Sequence, residues 1–199
     1  MAFVHNQSCE CAKSELDIFA VPPTQTSIES GVWVEYNPIS SITDGIPIEF
    51  AITGSGQDYV DLANTQIFVR AQILRANNTA IDNTNHVGPV NLLMHSLFSE
   101  VDVKLNDTLV SSTNNTYAYR SYLETLLSYG PAAKQSQLTS SMYYKDVAGH
   151  LEELNPHDQH AANTGFVKRH SFFEDGQMVD MIGCLHSDLF FKINICLAM

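Results

Sequence analysis

Apolar side chains recur at every second position along much of this chain, and this period constrains the fold more than any other feature. It is seen in segments 32–36, 46–52 and 67–73. A half-buried strand turns successive side chains to opposite faces of its sheet, so the alternation predicts strands in all three segments. Further strands are predicted at 101–105, 108–110, 166–173, 178–184 and 190–197.

The pair Asn106-Asp107 separates two of these predicted strands. Both residue types tolerate a positive φ, which a two-residue hairpin requires. The sequence therefore predicts that segments 101–105 and 108–110 form a tight antiparallel hairpin.

One segment follows a helical period instead. From Tyr119 onward, apolar residues are spaced as on one face of an amphipathic helix, which is expected to pack on the sheet. Gly130-Pro131 ends the helix, and Asn115, Thr116 or Ser121 could cap its start. The residues of the predicted apolar face are Tyr119, Tyr122, Leu123, Leu126 and Leu127.

These elements predict a mainly β protein, an antiparallel sandwich or jelly roll with one inserted α-helix. With 199 residues, of which 44% are apolar, the chain can bury one core as a single domain. Residues 1–30 contain Pro22-Pro23 and no apolar stripe, which favours an extended N-terminal arm. The predicted domain then occupies residues 31–199.

Composition argues against several classes of function. The formal net charge is −12 and the ten Lys and Arg residues are scattered, so the surface is unsuited to neutralising phosphates, and direct nucleic-acid binding is not expected. No apolar run is long enough to cross a membrane and no signal peptide begins the chain, which predicts an intracellular, non-secreted protein. The cysteines, Cys9, Cys11, Cys184 and Cys196, are expected to be free thiols.

Candidate ligand-binding motifs are weak. Gly54-Ser55-Gly56 with Asp58 lacks the third glycine and the helix of a nucleotide-binding loop, so a plain β-turn is predicted. His157 and His160 have a spacing that could suit a metal, yet Pro156 and polar neighbours favour an exposed loop. Cys9 and Cys11 lack a second paired cluster. The sequence therefore predicts no metal and no cofactor.

Candidate catalytic and stacking residues are equally weak. His186-Ser187-Asp188 joins three catalytic residue types, but neighbouring strand residues point to opposite faces and do not converge on one atom. Trp33 and the tyrosines could stack on bases, yet few basic residues lie among them. No catalytic residue is predicted, and the protein is expected not to be an enzyme. The tyrosines in question are Tyr117, Tyr119, Tyr122, Tyr129, Tyr143 and Tyr144.

Several short phrases occur in an order that resembles the major capsid protein of Polinton (Maverick) elements and of their adintovirus relatives. The resemblance extends from the N-terminus to about Phe191. The phrases are Ser14-Glu15-Leu16-Asp17, Pro22-Pro23-Thr24-Gln25-Thr26, Gly88-Pro89-Val90-Asn91, His95-Ser96-Leu97-Phe98, Tyr119-Arg120-Ser121-Tyr122-Leu123-Glu124-Thr125-Leu126-Leu127 and Leu185-His186-Ser187-Asp188-Leu189-Phe190.

The resemblance implies a double jelly-roll capsid subunit, of which this chain would form the N-terminal roll. It implies a structural protein of the virion whose partners are copies of itself, in a trimeric capsomer, and other capsid proteins. Residues 192–199 do not resemble the family's continuation into a second roll. The expectation is therefore a truncated copy that is marginally stable and does not build shells alone.

Two other functions remain open from the sequence. A β-sandwich could bind a carbohydrate or a protein through its loops, which would require exposed aromatic side chains beside converging polar groups. A cupin-like enzyme would require His and Glu ligands inside a barrel, whereas the histidines here fall mainly in loop-like segments.

Overall fold

The computed structural model describes residues 30–42, 45–54, 59–82, 84–111, 114–158, 160–187, 190 and 196–198. The chain divides into two compact units, residues 1–53 and residues 54–199. The predicted arm lies outside the described residues except for Ser30, and its boundary with the domain stays a prediction.

In the first unit, the described residues form two extended limbs with no helix or strand. The limbs meet where the Ile39 amide donates to the Glu49 carbonyl at 2.8 Å and the Glu49 amide donates to the Ser40 hydroxyl at 2.9 Å. The strands predicted at 32–36 and 46–52 are therefore wrong for this structure. Pro47 cannot donate to a sheet, and a pair of only two extended segments is at best marginally stable as a sheet in water.

The second unit mixes short strands with helices. The strands are β1 (Tyr59–Asp61), β2 (Gln66–Gln72), β3 (Lys104–Leu105), β4 (Thr108–Leu109), β5 (Met178–Cys184) and β6 (Cys196–Ala198). The α-helices are α1 (Leu93–Ser96), α2 (Tyr117–Ser128), α3 (Pro131–Gln135) and α4 (Thr164–Ser171). Short 3-10 turns follow β1, α3 and α4, at Leu62–Asn64, Gln137–Ser141 and Glu174–Gly176.

The predicted jelly roll is wrong. Within the described part of the chain, the strands form three separate two-stranded antiparallel sheets, which pair β1 with β6, β2 with β5 and β3 with β4. A sandwich needs two wider sheets packed face to face, whereas here helices cover the inner face of the β2–β5 sheet. The chain is also not mainly β, because its helices contain more residues than its strands.

The β2–β5 sheet confirms two of the predicted strands. Its register pairs Val69 with Met181 on the inner face and Arg70 with Asp180 on the outer face. The burial of β2 alternates at every residue, as the sequence period predicted. Arg70 and Asp180 form an exposed ion pair, with Nε 2.6 Å from Oδ1.

The apolar core lies against the inner face of this sheet. We call its four buried residues, Met94, Met142, Phe173 and Met181, the methionine cluster. Gly183 of β5 allows the close packing, because a Cβ atom there would lie 2.7 Å from the Met94 Cε atom and would also collide with the Ser141 side chain.

Two large buried residues, one beside this core and one within it, have a left-handed backbone. Leu92 has φ 60° and Met142 has φ 63°. The Leu92 amide donates to the Met142 carbonyl at 3.0 Å, and both side chains are buried. Residues with a Cβ atom adopt this conformation at a cost of roughly 1–2 kcal/mol each, so surrounding contacts must hold them there.

Helix α4 replaces the strand predicted at 166–173. The Asn163 side chain accepts a hydrogen bond from the Phe166 amide and thereby caps the helix. Lys168 and Arg169 lie in its last turn, where their positive charge interacts favourably with the helix dipole. The capping residue and the basic last turn outweigh the aromatic content that suggested a strand.

The hairpin prediction is confirmed at its turn. Asn106 and Asp107 have φ values of 48° and 62° and join β3 to β4. Of the strand predicted at 190–197, the structure describes Phe190 and the backbone of β6.

Candidate functional site

Helix α2 confirms the predicted helix, but its most buried face is not the predicted apolar one, of which Tyr122 and Leu126 are half-buried and the other three residues are exposed. Tyr117, Ser121 and Thr125 are buried, while Leu123 and Leu127 are 57% and 86% exposed. Apolar content alone would place the leucines inside. On that face Ser121 bonds the Ala118 carbonyl of its own helix. Neighbouring segments supply hydrogen-bonding partners for Tyr117, and for Glu124 beside it.

Those partners form what we call the histidine cluster, which consists of His95, Tyr117, Arg120, Glu124 and His186. The His95 Nδ1 atom is 3.0 Å from the Tyr117 hydroxyl oxygen, and the rings of the two histidines meet edge to face at 4.7 Å. Glu124 lies between two donors, with one carboxylate oxygen 2.9 Å from His186 Nδ1 and the other 2.7 Å from Arg120 Nε. The cluster thus links α1, α2 and the segment that follows β5.

The hydrogen-bond directions in the cluster follow from its geometry. The Tyr117 oxygen accepts from the His186 amide at 3.4 Å, so its own hydrogen is available to His95 Nδ1. A carboxylate can only accept, so His186 carries its hydrogen on Nδ1 toward Glu124. Where Tyr117 donates this hydrogen, His95 accepts it with an unprotonated Nδ1 and is neutral.

Burial sets the protonation of these groups. Burial, with the nearby His186, lowers the pKa of His95 from 6.5 to about 3. Burial also lowers the pKa of His186, although its hydrogen bond to Glu124 acts in the opposite direction. Burial raises the pKa of Tyr117 to about 12. All three groups are therefore uncharged near neutral pH, which is what a closed polar core requires.

A second buried polar site is built on α4. The Arg169 side chain donates from Nε to the Pro89 carbonyl at 2.7 Å, from another nitrogen to the Tyr144 carbonyl, and from a third to Asp146 Oδ1 at 2.7 Å. The next residue, His170, donates from Nδ1 to the Val87 carbonyl at 2.7 Å. These bonds tie α4 to two loops far from it in sequence.

The histidine cluster is mostly buried, since His95, Tyr117 and His186 are buried, while Arg120 and Glu124 are partly exposed. Among the described residues, no three His, Cys, Asp or Glu side chains are grouped as metal ligands would be. The described part of the chain contains no helix with the length and apolar character needed to cross a bilayer.

The structure separates most of the residues singled out by sequence. His186 and Ser187 are buried, while Asp188 lies outside the described residues; the acidic partner of His186 is Glu124, 62 positions away. Trp33 is 72% exposed, with no polar group gathered around it among the contacts of the described residues. Cys9, Cys11 and residues 55–58, which include most of Gly54-Ser55-Gly56 and Asp58, also lie outside the described residues.

The paired histidine motif does not form one site. His157 and His160 are both exposed and lie in or beside turns, as the sequence predicted for a loop. His157 instead places its ring 5.3 Å from that of His170, an edge-to-face contact. Cys184, the described thiol, is free and partly buried.

Sequence reasoning did not single out His95, Glu124 or Arg169 as site residues. Each is a polar residue within or beside an apolar run, a weak signal that depends on distant partners. Four of the phrases quoted above contribute to the two polar sites. Pro89 accepts from Arg169, His95 bonds Tyr117, and Glu124 bonds His186.

Comparison with known proteins gives one distant relative. The chain is 26% identical over 133 residues to the protein named "Uncharacterized protein F54H12.2" of Caenorhabditis elegans, which covers 63% of this chain and 32% of that protein. The chain therefore spans about a third of the length of that relative. The chain matches no protein-family model and no solved structure.

Proposed function

We propose that this protein is a structural subunit of a viral-type shell, related to the major capsid protein of Polinton elements and adintoviruses. One observation carries the proposal. In the phrases that resemble that family, His95 and His186 are buried and bonded to polar partners, while several large apolar side chains face solvent. Those exposed side chains are Val90, Leu97, Tyr119, Leu123 and Leu127.

Exposed apolar side chains beside buried polar ones suit a protein that works through contacts with other subunits. Apolar surface on a monomer is normal when scattered, but contiguous exposed patches mark interaction sites. An enzyme site would instead bring polar groups to the wall of a cavity that substrate can enter. The buried histidine cluster fixes the shape of the subunit, and the exposed apolar side chains supply surface for contacts.

The proposed role is structural and not catalytic, and the proposed location is the virion. The partners are further copies of the chain and other capsid proteins. A net charge of −12 makes this region a poor binder of phosphates, so contact with packaged nucleic acid is assigned to other components. The jelly roll that the resemblance implied forms no part of this proposal, since the described strands do not build one.

The β-sandwich binding module is not retained as a second function. Its scaffold is absent from the described residues, and Trp33 has no converging polar groups in the contacts that these residues make. The cupin-like enzyme requires inward His and Glu ligands on one metal, and the described residues contain no such group.

The proposal is tested by measuring the mass of the purified full chain over a wide range of concentrations, using size-exclusion chromatography with light scattering. We expect discrete oligomers that grow in population with concentration, because apolar burial drives association. The control is Lys104→Ser, which changes an exposed residue of the β3–β4 hairpin and should leave association unchanged. A monomer at every concentration would contradict the proposal.

A further inference from the structure

Helix α2 contacts its neighbours through polar groups and lies outside the methionine cluster. Among the described residues, none of those in this cluster or packed against it belongs to α2. Tyr117 of α2 instead contacts His95 of α1 and the amide of His186, and Glu124 contacts the His186 ring. The histidine cluster is therefore a main attachment of α2 to α1 and to the segment after β5.

His95 is poorly placed to take up a proton while it stays buried. Its side chain contacts the Tyr117 hydroxyl and the ring of His186, which are both uncharged near neutral pH. The carboxylate of the cluster, on Glu124, contacts His186 and Arg120 instead. A charge on His95 would therefore be buried with no opposite charge bonded to it, which is unfavourable.

A proton on His95 would also disturb the hydrogen bonds of Tyr117. Charged imidazole can only donate, so the Tyr117 oxygen would have to accept from both His95 and the His186 amide. The hydrogen of the Tyr117 hydroxyl would then have to leave His95 and find another partner, although this side chain is buried. A buried polar group that is left without a partner destabilises the closed form.

The other elements packed against α1 bring no compensating charge to His95. The 3-10 turn at Gln137–Ser141 contains no titratable side chain. In β5, Asp180 lies on the outer face of the sheet with Arg70, and Cys184 is a partly buried thiol. Besides burial, the charge that affects the pKa of His95 is that of His186, and it lowers this pKa.

We propose that the contact between His95 and Tyr117 is a pH-sensitive switch, which holds α2 on α1 at neutral pH and releases it when His95 takes up a proton. In the open form, water solvates the charge on His95 and reaches the Tyr117 side of α2. The methionine cluster contains no titratable side chain, so the β2–β5 sheet stays packed. Histidine changes its charge between pH 5 and 8, so the switch would respond to passage from neutral to acidic surroundings, whether or not the chain is a shell subunit.

Hydrogen exchange of the full chain tests the switch. Exchange is followed by mass spectrometry at about pH 7.5 and about pH 5, with each rate corrected for the chemical effect of pH. We expect α2 peptides to be roughly tenfold less protected than β2 and β5 peptides at both pH values, because α2 opens while the sheet stays folded. At about pH 5 their protection should fall roughly thirtyfold further, since the pKa of His95 is 6.5 in the open form and about 3 in the closed form.

The variant His95→Gln identifies the group that titrates. The glutamine carbonyl can accept from the Tyr117 hydroxyl but takes up no proton, so acid should no longer lower the protection of α2. The matched control is His160→Gln, which changes an exposed histidine and should keep the full acid response. If His95→Gln does not fold, NMR of the original chain replaces it, and the His95 ring signals should stay those of a neutral imidazole while α2 is protected.

Several results would overturn the proposal. Equal protection of α2 and of the β2–β5 sheet would mean that α2 opens only when the whole unit unfolds. Protection of α2 that does not change with pH, or an acid response that persists in His95→Gln, would show that His95 is not the sensor. A charged His95 ring in a chain whose α2 is still protected would show that the closed form tolerates the proton.

Discussion

Two buried clusters meet at adjacent residues of α1, and they are stabilised in different ways. Met94 belongs to the methionine cluster, where apolar side chains pack against the β2–β5 sheet. His95 belongs to the histidine cluster, where buried groups depend on hydrogen bonds and on a neutral imidazole. One short helix therefore joins a region whose stability does not depend on pH to a region whose stability does.

The largest effect is expected at the methionine cluster. Phe173 is fully buried there, so Phe173→Ala should lower the free energy of unfolding by about 3–5 kcal/mol through lost burial and the cavity left behind. Urea denaturation monitored by circular dichroism measures this change. Phe68→Ala, on the exposed face of the same sheet, is the matched control and should cost far less. If both substitutions lowered the free energy of unfolding by the same amount, the core would lie elsewhere.

Acidification should affect the histidine cluster selectively. The pKa of His95 falls from 6.5 to about 3 on folding, so below 6.5 the unfolded chain binds a proton that the folded chain does not. Stability is therefore present above pH 6.5 and is lost as the pH falls. By about pH 5, roughly 1.5 units lower, the loss from this residue reaches roughly 2 kcal/mol.

The lowered pKa of His186 adds to this loss in the same direction. Urea denaturation at a series of pH values measures how steeply the free energy of unfolding changes with pH. His95→Gln should make this slope smaller. Phe173→Ala should keep the original slope, because it removes no titrating group. A slope that His95→Gln leaves unchanged would show that other residues cause the acid sensitivity.

The smallest effect is expected on the buried face of α2, where one polar atom lacks a described hydrogen-bond partner. The Thr125 hydroxyl is buried and has no hydrogen-bond partner among the described residues. Thr125→Val keeps the shape of the side chain and removes that polar atom, so we expect unchanged or greater stability, by up to about 1 kcal/mol. Ser121→Ala is the control, because the Ser121 hydroxyl donates to the Ala118 carbonyl. A marked loss of melting temperature in Thr125→Val alone would reveal a partner for the hydroxyl.

Short-range patterns in the sequence correctly predicted one pair of strands and one hairpin turn. The alternation in 67–73 and 178–184 gives the paired strands β2 and β5, and Asn106-Asp107 gives the hairpin turn. Segments 32–36 and 46–52 alternate just as well without forming strands, because alternation supplies an apolar face but not the surface that buries it.

The candidate site was beyond prediction because its partners are distant in sequence. Glu124 bonds His186 across 62 positions, and Arg169 bonds Pro89 across 80. The helical period located α2 correctly, but only these contacts decide which of its faces is inside. An amphipathic pattern predicts the buried face of a helix from composition alone. In α2 the hydrogen bonds of polar side chains outweigh the burial of Leu123 and Leu127.

The left-handed residues Leu92 and Met142 have a consequence for the order of folding. Neither conformation is favoured by a short peptide, so the amide-to-carbonyl bond between them gains nothing until Met94, Phe173 and Met181 have assembled. We therefore expect the bond to form late, as the apolar core closes. For the same reason we expect the Leu92 amide to exchange with solvent only when that core opens, so that its exchange rate would report cooperative unfolding and not local fraying.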